Sequence, residues 1–173
     1  MKSTLFIYSS TDGQTKTIIS RIKSFLSNDI DSMLVPIAEV SGEDVAKFDR
    51  IIIGASIRYG NYRKEVFQFI NKNVNELELK ENAFFSVNVV ARKKEKNSPE
   101  TNPYVIKFLD KIDWVPKKIG VFAGKIDYPS YKFFDKYAIK FIMWINNGPT
   151  DTSKTFEFTD WKKVEEFTKD LNL

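Results

Sequence analysis

Short unbroken runs of apolar residues alternate along the chain with segments in which apolar positions recur every three or four residues. Runs of the first kind fit strands buried on both faces, and segments of the second kind fit amphipathic helices. The alternation predicts a parallel sheet covered by helices. Leu5, Phe6, Ile7 and Tyr8 form a first, central strand. Ile18, Ile19, Ile22, Phe25 and Leu26 fall at helical spacing and predict a helix over 15–27, with Lys16, Arg21 and Lys23 outward. A short strand over 32–35 stops at Pro36, and residues 50–55 are another buried strand, followed by a helix marked by Val66, Phe67, Ile70 and Val74. A fourth strand runs over 83–90. Tyr104, Val105, Phe108, Leu109 and Ile112 mark the next helix, behind Pro99 and Pro103, and a fifth strand covers 119–123. Trp161, Val164, Phe167 and Leu171 predict a closing helix capped by Asp160.

The pattern amounts to a small doubly wound α/β domain over residues 1–173, without repeats or low-complexity tracts. One piece exceeds it. Residues 127–150 lie between the fifth strand and the closing helix and are far longer than an ordinary connection. Within them Lys132, Asp135, Lys136 and Lys140 share one helical face of a segment over 130–145. Phe133, Phe134, Tyr137, Ile139, Phe141, Ile142, Met143, Trp144 and Ile145 spread over the rest, with the lysines opposite Phe and Trp. Two readings stand on that spacing: a helix buried against the sheet, and a helix lying in the headgroup region of anionic lipid.

Composition narrows the chemistry. At 173 residues, 42% hydrophobic and 29% charged, the chain has the size of one globular domain with a sizeable core. It contains no cysteine and no histidine, which excludes thiol nucleophiles, Cys/His metal sites and imidazole bases. Redox or acid–base work therefore falls to a bound cofactor or to carboxylates, lysines and tyrosines, and no metal site is expected. The net charge of +4 is too mild for a dedicated nucleic-acid binder and of the wrong sign for an acidic electron carrier. No run approaches the length of a membrane span, and the first apolar run is too short for a secretory signal, so a cytoplasmic protein is expected.

The candidate chemistry starts at the first strand-to-helix turn, Ser9-Ser10-Thr11-Asp12-Gly13-Gln14-Thr15. Hydroxyls opening onto a helix N-terminus suit a phosphate, because unpaired N–H groups and the helix dipole already favour an anion. The same residues also suit simple helix capping, and spacing does not separate the two. The glycine-rich dinucleotide fingerprint and the P-loop lysine are both missing.

The turn from Tyr8 to Thr15 resembles the phosphate loop of flavodoxins. Beside it, Ile53-Gly-Ala-Ser-Ile-Arg-Tyr-Gly60, Phe85-Ser-Val-Asn-Val-Val-Ala-Arg-Lys93, Thr101-Asn-Pro-Tyr104, Tyr128-Pro-Ser-Tyr131, Thr150-Asp-Thr152 and Thr159-Asp-Trp161 together resemble the quinone-dependent protoporphyrinogen IX dehydrogenases of the flavodoxin-like fold. The likeness runs from about residue 4 to residue 168. It implies a sheet of strand order 2-1-3-4-5 with FMN at its switch point. By that resemblance the FMN contacts are Ser9, Ser10, Thr11, Asp12, Gly13, Gln14 and Thr15 for the phosphate. For the ring they are Ser56, Ile57, Arg58, Tyr59 and Gly60, with Asn88, Val89, Val90, Ala91 and Arg92, and with Thr150, Asp151 and Thr152. Tyr59 is expected to stack on the ring, Gly60 to let a backbone carbonyl turn toward the flavin, and Arg58 to offset negative charge on it.

The resemblance further implies oxidation of protoporphyrinogen IX to protoporphyrin IX, with electrons passed to a membrane quinone and the flavin rather than a protein residue carrying the chemistry. Arg92 and Lys93, in a run of four positive residues and one negative, are the expected partners of the porphyrinogen propionates, although composition alone reads that run as a solvated loop. Phe133, Phe134, Tyr137, Phe141, Ile142 and Trp144 are the expected contacts to membrane and quinone, which places the protein peripherally on the inner face of the cell membrane. A flavodoxin-type electron carrier and an FMN-dependent NAD(P)H:quinone reductase remain as alternatives, since a shared fold does not choose among them.

Overall fold

The computed structural model describes residues 2–173, with Met1 outside the description. Five strands form a parallel sheet: β1 (Thr4–Ser9), β2 (Ser32–Pro36), β3 (Arg50–Ser56), β4 (Glu81–Val87) and β5 (Ile119–Phe122). Their order across the sheet is β2-β1-β3-β4-β5, as expected. The reversal of direction between β1 and β3 makes the switch point, where ligands of such sheets bind beyond the strand C-termini.

Alternate side chains of the central strands go to opposite faces, which explains their unbroken apolarity. Leu5, Ile7, Ile51, Ile53 and Phe84 join one core, with Val66 and Ile70 of α3 (Lys64–Leu79) and Phe108 of α4 (Pro103–Leu109). Phe6, Ile52, Phe85 and Val87 join the other, with Ile18, Ile19 and Ile22 of α1 (Gln14–Lys23) and Val164 of α6 (Trp161–Asp170). The cap expected at Asp160 is present: its carboxylate accepts from the N–H groups of Lys162 and Lys163.

Several boundaries differ from the expectations. The helix expected over 15–27 ends at Lys23, where the Ser24 hydroxyl donates to the Arg21 carbonyl and a hydrogen-bonded turn carries Leu26 into the core instead. The strand expected over 83–90 stops at Val87, because the Asn88 side chain accepts the Ala91 N–H at 3.0 Å and folds 89–92 into a single 3-10 turn. The helix expected to reach Ile112 ends at Leu109, capped by the Asp110 N–H. The strand expected over 119–123 ends at Phe122.

Besides short 3-10 turns, one helix and one two-stranded ribbon lie outside what the sequence pattern predicts. The helix α2 (Gly42–Lys47) is announced by a capping box in which Ser41 and Asp44 each satisfy the other's backbone. The other is a two-stranded antiparallel ribbon of β6 (Lys125–Asp127) and β7 (Thr155–Glu157), which closes the base of the long connection. Between its strands stands α5 (Phe133–Ile145).

Candidate functional site

A cleft opens at the C-terminal ends of β1, β3 and β4, where the first turn, the loops after β3 and β4, and α5 meet. The cleft has a cavity volume of about 130 Å³ and is open to solvent at its mouth.

The first turn supplies a polar end. Gly13 sits at the N-cap of α1 with φ +88°, so no side-chain cap is made there. Capping is therefore not what these hydroxyls do: the Ser10 hydroxyl accepts the Gly13 N–H at 3.0 Å inside the loop, and Thr11 accepts from Arg63 at 3.4 Å. Gln14 reaches away to Glu157 and Thr159 and ties α1 to the strand β7 and the turn after it. Thr15 is fully buried, and its hydroxyl has no hydrogen-bond partner although it lines the cleft. A buried hydroxyl left unpaired costs about 1–3 kcal/mol unless a ligand meets it. The first-turn N–H groups of α1 are likewise free of intrahelical bonds.

The loop after β3 makes a tight hairpin turn. Arg58 and Asn61 exchange backbone hydrogen bonds at 3.0 and 3.2 Å, and the two residues between them, Tyr59 (φ 50°) and Gly60 (φ 78°), both take positive φ. This geometry is a type I′ turn, which glycine adopts freely and tyrosine adopts at a cost of about 1 kcal/mol. It aims Tyr59 across the mouth, where the phenol O–H donates to Asp135 of α5. That bond to a carboxylate is the main reason the phenol is held above its ordinary range. Arg58 lies between the rings of Tyr59 and Tyr131, 5.2 and 5.1 Å from their centres, and pairs with Asp12 at 2.6 Å and Asp135 at 3.6 Å. Burial works against its charge, and Asp12 foremost restores it. For Asp12 burial dominates and raises the carboxyl, with Arg58 opposing.

Beneath the third wall runs a buried polar chain. Tyr62 donates to Ser86 at 2.6 Å, Asn88 donates to Ser86 at 3.0 Å, and Asn102 donates to Asn88 at 3.1 Å while its own side-chain oxygen caps α4. Every member is satisfied, which fixes the turn over 88–92.

α5 divides into two faces. Ile139, Ile142, Met143 and Asn146, at helical spacing, line the cleft. Phe133, Phe134, Tyr137, Phe141 and Trp144 point away into solvent, with Phe134 87% exposed. The reading of this helix as buried against the sheet therefore does not hold within the chain: Met143 is its one buried residue. Lysine also sits beside the aromatics rather than opposite them, since Lys140 shares a shallow outer groove with Tyr137, Phe141 and Trp144.

Of the expected contacts, the cleft brings together Ser10, Thr11, Asp12, Gln14, Thr15, Ser56, Ile57, Arg58, Tyr59, Gly60, Asn88, Val89, Val90 and Arg92. Others stand outside its lining. Ser9 donates to Glu65, Ala91 is buried behind the wall, and Lys93 is not at the surface of the cleft. Gly13 shapes the loop instead of facing inward. Thr150 borders the outer groove, and Asp151 is occupied by Ser153 and Lys154, so the segment of Thr150, Asp151 and Thr152 does not reach the cleft. Both terminal nitrogens of Arg92 donate to carbonyls, of Val89 at 3.1 Å and Asn146 at 2.7 Å. The fork expected to grip a propionate is thus committed to holding the C-terminus of α5, a favourable place for a cation. Tyr104, Tyr131, Ile139, Met143 and Asn146 are lining residues that the sequence reading left out of the site. For Tyr131 a signal was present in the Tyr128–Tyr131 motif.

The residues fit a phosphorylated planar ligand such as FMN: a buried unpaired hydroxyl at a helix N-terminus stands at one end, and apolar walls rimmed by Tyr59 and Asn88 stand at the other.

Comparison with known proteins agrees with this geometry. The Flavodoxin domain family model matches residues 5–153. "Protoporphyrinogen IX dehydrogenase [quinone]" of Escherichia coli (strain K12) is 40% identical over 169 residues, covering 97% of this chain and 93% of that protein. The protein of the same name from Leishmania major is also 40% identical, over 96% of this chain and 73% of its own. Among solved structures, a flavodoxin from the domain Archaea superposes with TM-score 0.51 at 13% identity over 99% of both chains. Flavodoxin 2 from Bacillus cereus does so with TM-score 0.51 at 17% identity, over 98% of this chain and 97% of that one. At such identities the structural likeness speaks to the fold.

Proposed function

Because the chain belongs to the Flavodoxin domain family and, within it, to the protoporphyrinogen IX dehydrogenases of the quinone type, we propose that it oxidises protoporphyrinogen IX to protoporphyrin IX and passes the electrons to a quinone. The observation that carries this reading is the 40% identity, over nearly the whole chain, to proteins bearing that name. FMN, when bound, supplies the two-electron redox couple that a chain without cysteine or histidine lacks.

The protein's own residues do the rest. The N-terminus of α1, with Thr15 and the hydroxyls of Ser10 and Thr11, would hold the phosphate. The loops over 56–60 and 88–90 would hold the ring, and the hydrogen bonds among Tyr62, Ser86, Asn88 and Asn102 keep the second loop from moving. Ile139, Ile142 and Met143 close one side with apolar surface and keep water from it. Each oxidation step removes two electrons and two protons from the porphyrinogen, and one quinone takes up both pairs to become the quinol.

Quinones dissolve in the bilayer, so the reading includes a peripheral membrane site. The outer face of α5 supports it, with Phe133, Phe134 and Trp144 each at least 67% exposed and Lys132, Lys136 and Lys140 alongside. Among the described residues no helix is long and apolar enough to cross a membrane.

The test is anaerobic turnover of protoporphyrinogen IX by the FMN-loaded protein with a soluble menaquinone analogue, followed by porphyrin fluorescence. Growth of fluorescence that needs both protein and quinone is expected. Growth no faster than the protein-free background, with FMN bound, overturns the reading, and consumption of NAD(P)H instead would make the protein a reductase.

A further inference from the structure

The phosphate end of the cleft contains an apparent contradiction. Its loop carries a carboxylate, Asp12, between Thr11 and Gly13 and directly before the helix that offers its N-terminus to an anion. Asp12 lines the cleft, and its side chain is 29% exposed, so water screens it only in part. Asp135 approaches from α5 to the same place. Two carboxylates at the rim of a cradle built for a phosphate repel the ligand that the buried Thr15 hydroxyl awaits.

Arg58 resolves it. Its guanidinium is 2.6 Å from the Asp12 carboxylate and 3.6 Å from that of Asp135, and its side chain is 18% exposed. The Tyr59 and Tyr131 rings on either side leave it little freedom to turn elsewhere. Its strongest contact is thus to the acid of the phosphate loop.

We propose that Arg58 is the residue that makes the first turn able to accept a phosphate, by neutralising Asp12, and that it thereby sets the preference for a phosphorylated flavin over the unphosphorylated one. This deepens the FMN reading and rests on it. Arg58 here is a positioning and charge-compensating residue. Asp12 in return fixes the Arg58 side chain over the mouth of the cleft.

The test is a set of binding titrations by flavin fluorescence quenching, at one salt concentration, with FMN and with riboflavin. The proteins are the wild type, Arg58→Ala, Asp12→Asn and the double variant. Arg58→Ala should weaken FMN by about tenfold or more, as expected for an uncompensated charge near a phosphate in a partly buried site. Riboflavin, which has no phosphate, should change by less than about threefold in the same protein, a factor worth under about 0.7 kcal/mol. The double variant should recover most of the FMN affinity, because the offending charge is gone. Equal losses for FMN and riboflavin, or a double variant as weak as Arg58→Ala, overturn the inference and make Arg58 a direct ligand or a support of the loop. Failure of the wild type to bind either flavin sinks the FMN reading itself, a result distinguishable from both.

Discussion

α3, which is kinked at Asn73, and α5 span 16 and 13 residues, and both are strongly apolar on part of their circumference, yet they end in opposite environments. α3 buries Val66, Phe69, Ile70 and Leu77 against the sheet. α5 buries Met143 alone and leaves Phe133, Phe134, Tyr137, Phe141 and Trp144 in solvent. The contrast teaches that apolar periodicity identifies a helix but not the body it packs against. The burial free energy of α3 is realised within the chain. That of the outer face of α5 is available to something outside it.

The largest expected effect sharpens that contrast directly. Replacing Phe133, Phe134 and Trp144 together by Ser should lower binding to phosphatidylglycerol-containing vesicles by more than about a hundredfold, since each buried aromatic is worth roughly 1.5–3 kcal/mol. Unchanged cosedimentation would break it, leaving the exposed face without a lipid role. Next in size is the stability of the two helices. Ile70→Ala should cost about 2–5 kcal/mol in urea unfolding, as a fully buried core residue. Phe134→Ala, at 87% exposure, should stay within about 0.5 kcal/mol of wild type. Similar losses for both would show α5 to be packed in solution. The smallest effect concerns the tie between α5 and the cleft. Tyr59→Phe removes the hydroxyl that donates to Asp135, and amides of α5 should then exchange with solvent about two- to tenfold faster, with α3 unaffected. Equal protection in both proteins would show that the tie does not hold the helix.

Much of the fold is legible in the sequence because the central strands are buried on both faces. That makes Leu5–Tyr8 and the run from Arg50 stand out as continuous apolar stretches, and a parallel order follows from the helices between them. The ends of elements are less legible, since they are decided by single side-chain bonds. Ser24 closing α1 and Asn88 closing β4 are polar residues whose partners are set by three-dimensional proximity. The ribbon of β6 and β7 was hidden for another reason: its strands are three residues each, too short for periodicity to register, with 27 residues between them. In the site, the first turn and the loop at 56–60 are contiguous motifs and were found. The wall made by α5 was not, because Ile139, Met143 and Asn146 look like any helical stripe until the chain folds back over the cleft. Arg92 shows the reverse case, a basic side chain that the family resemblance offers to a substrate and that two carbonyls hold instead.

The two ends of α5 are fastened to two different walls of the cleft, by Asp135 to Tyr59 near its start and by the Asn146 carbonyl to Arg92 at its finish. The helix and the cleft are therefore one thermodynamic system. Any surface that draws α5 outward must break a fastening that shapes the cleft, and any ligand that tightens those walls makes the helix harder to draw. By the reciprocity of linked equilibria, a bilayer that bound this face would change the hold on the cofactor by the same factor as the cofactor would change the hold on the bilayer.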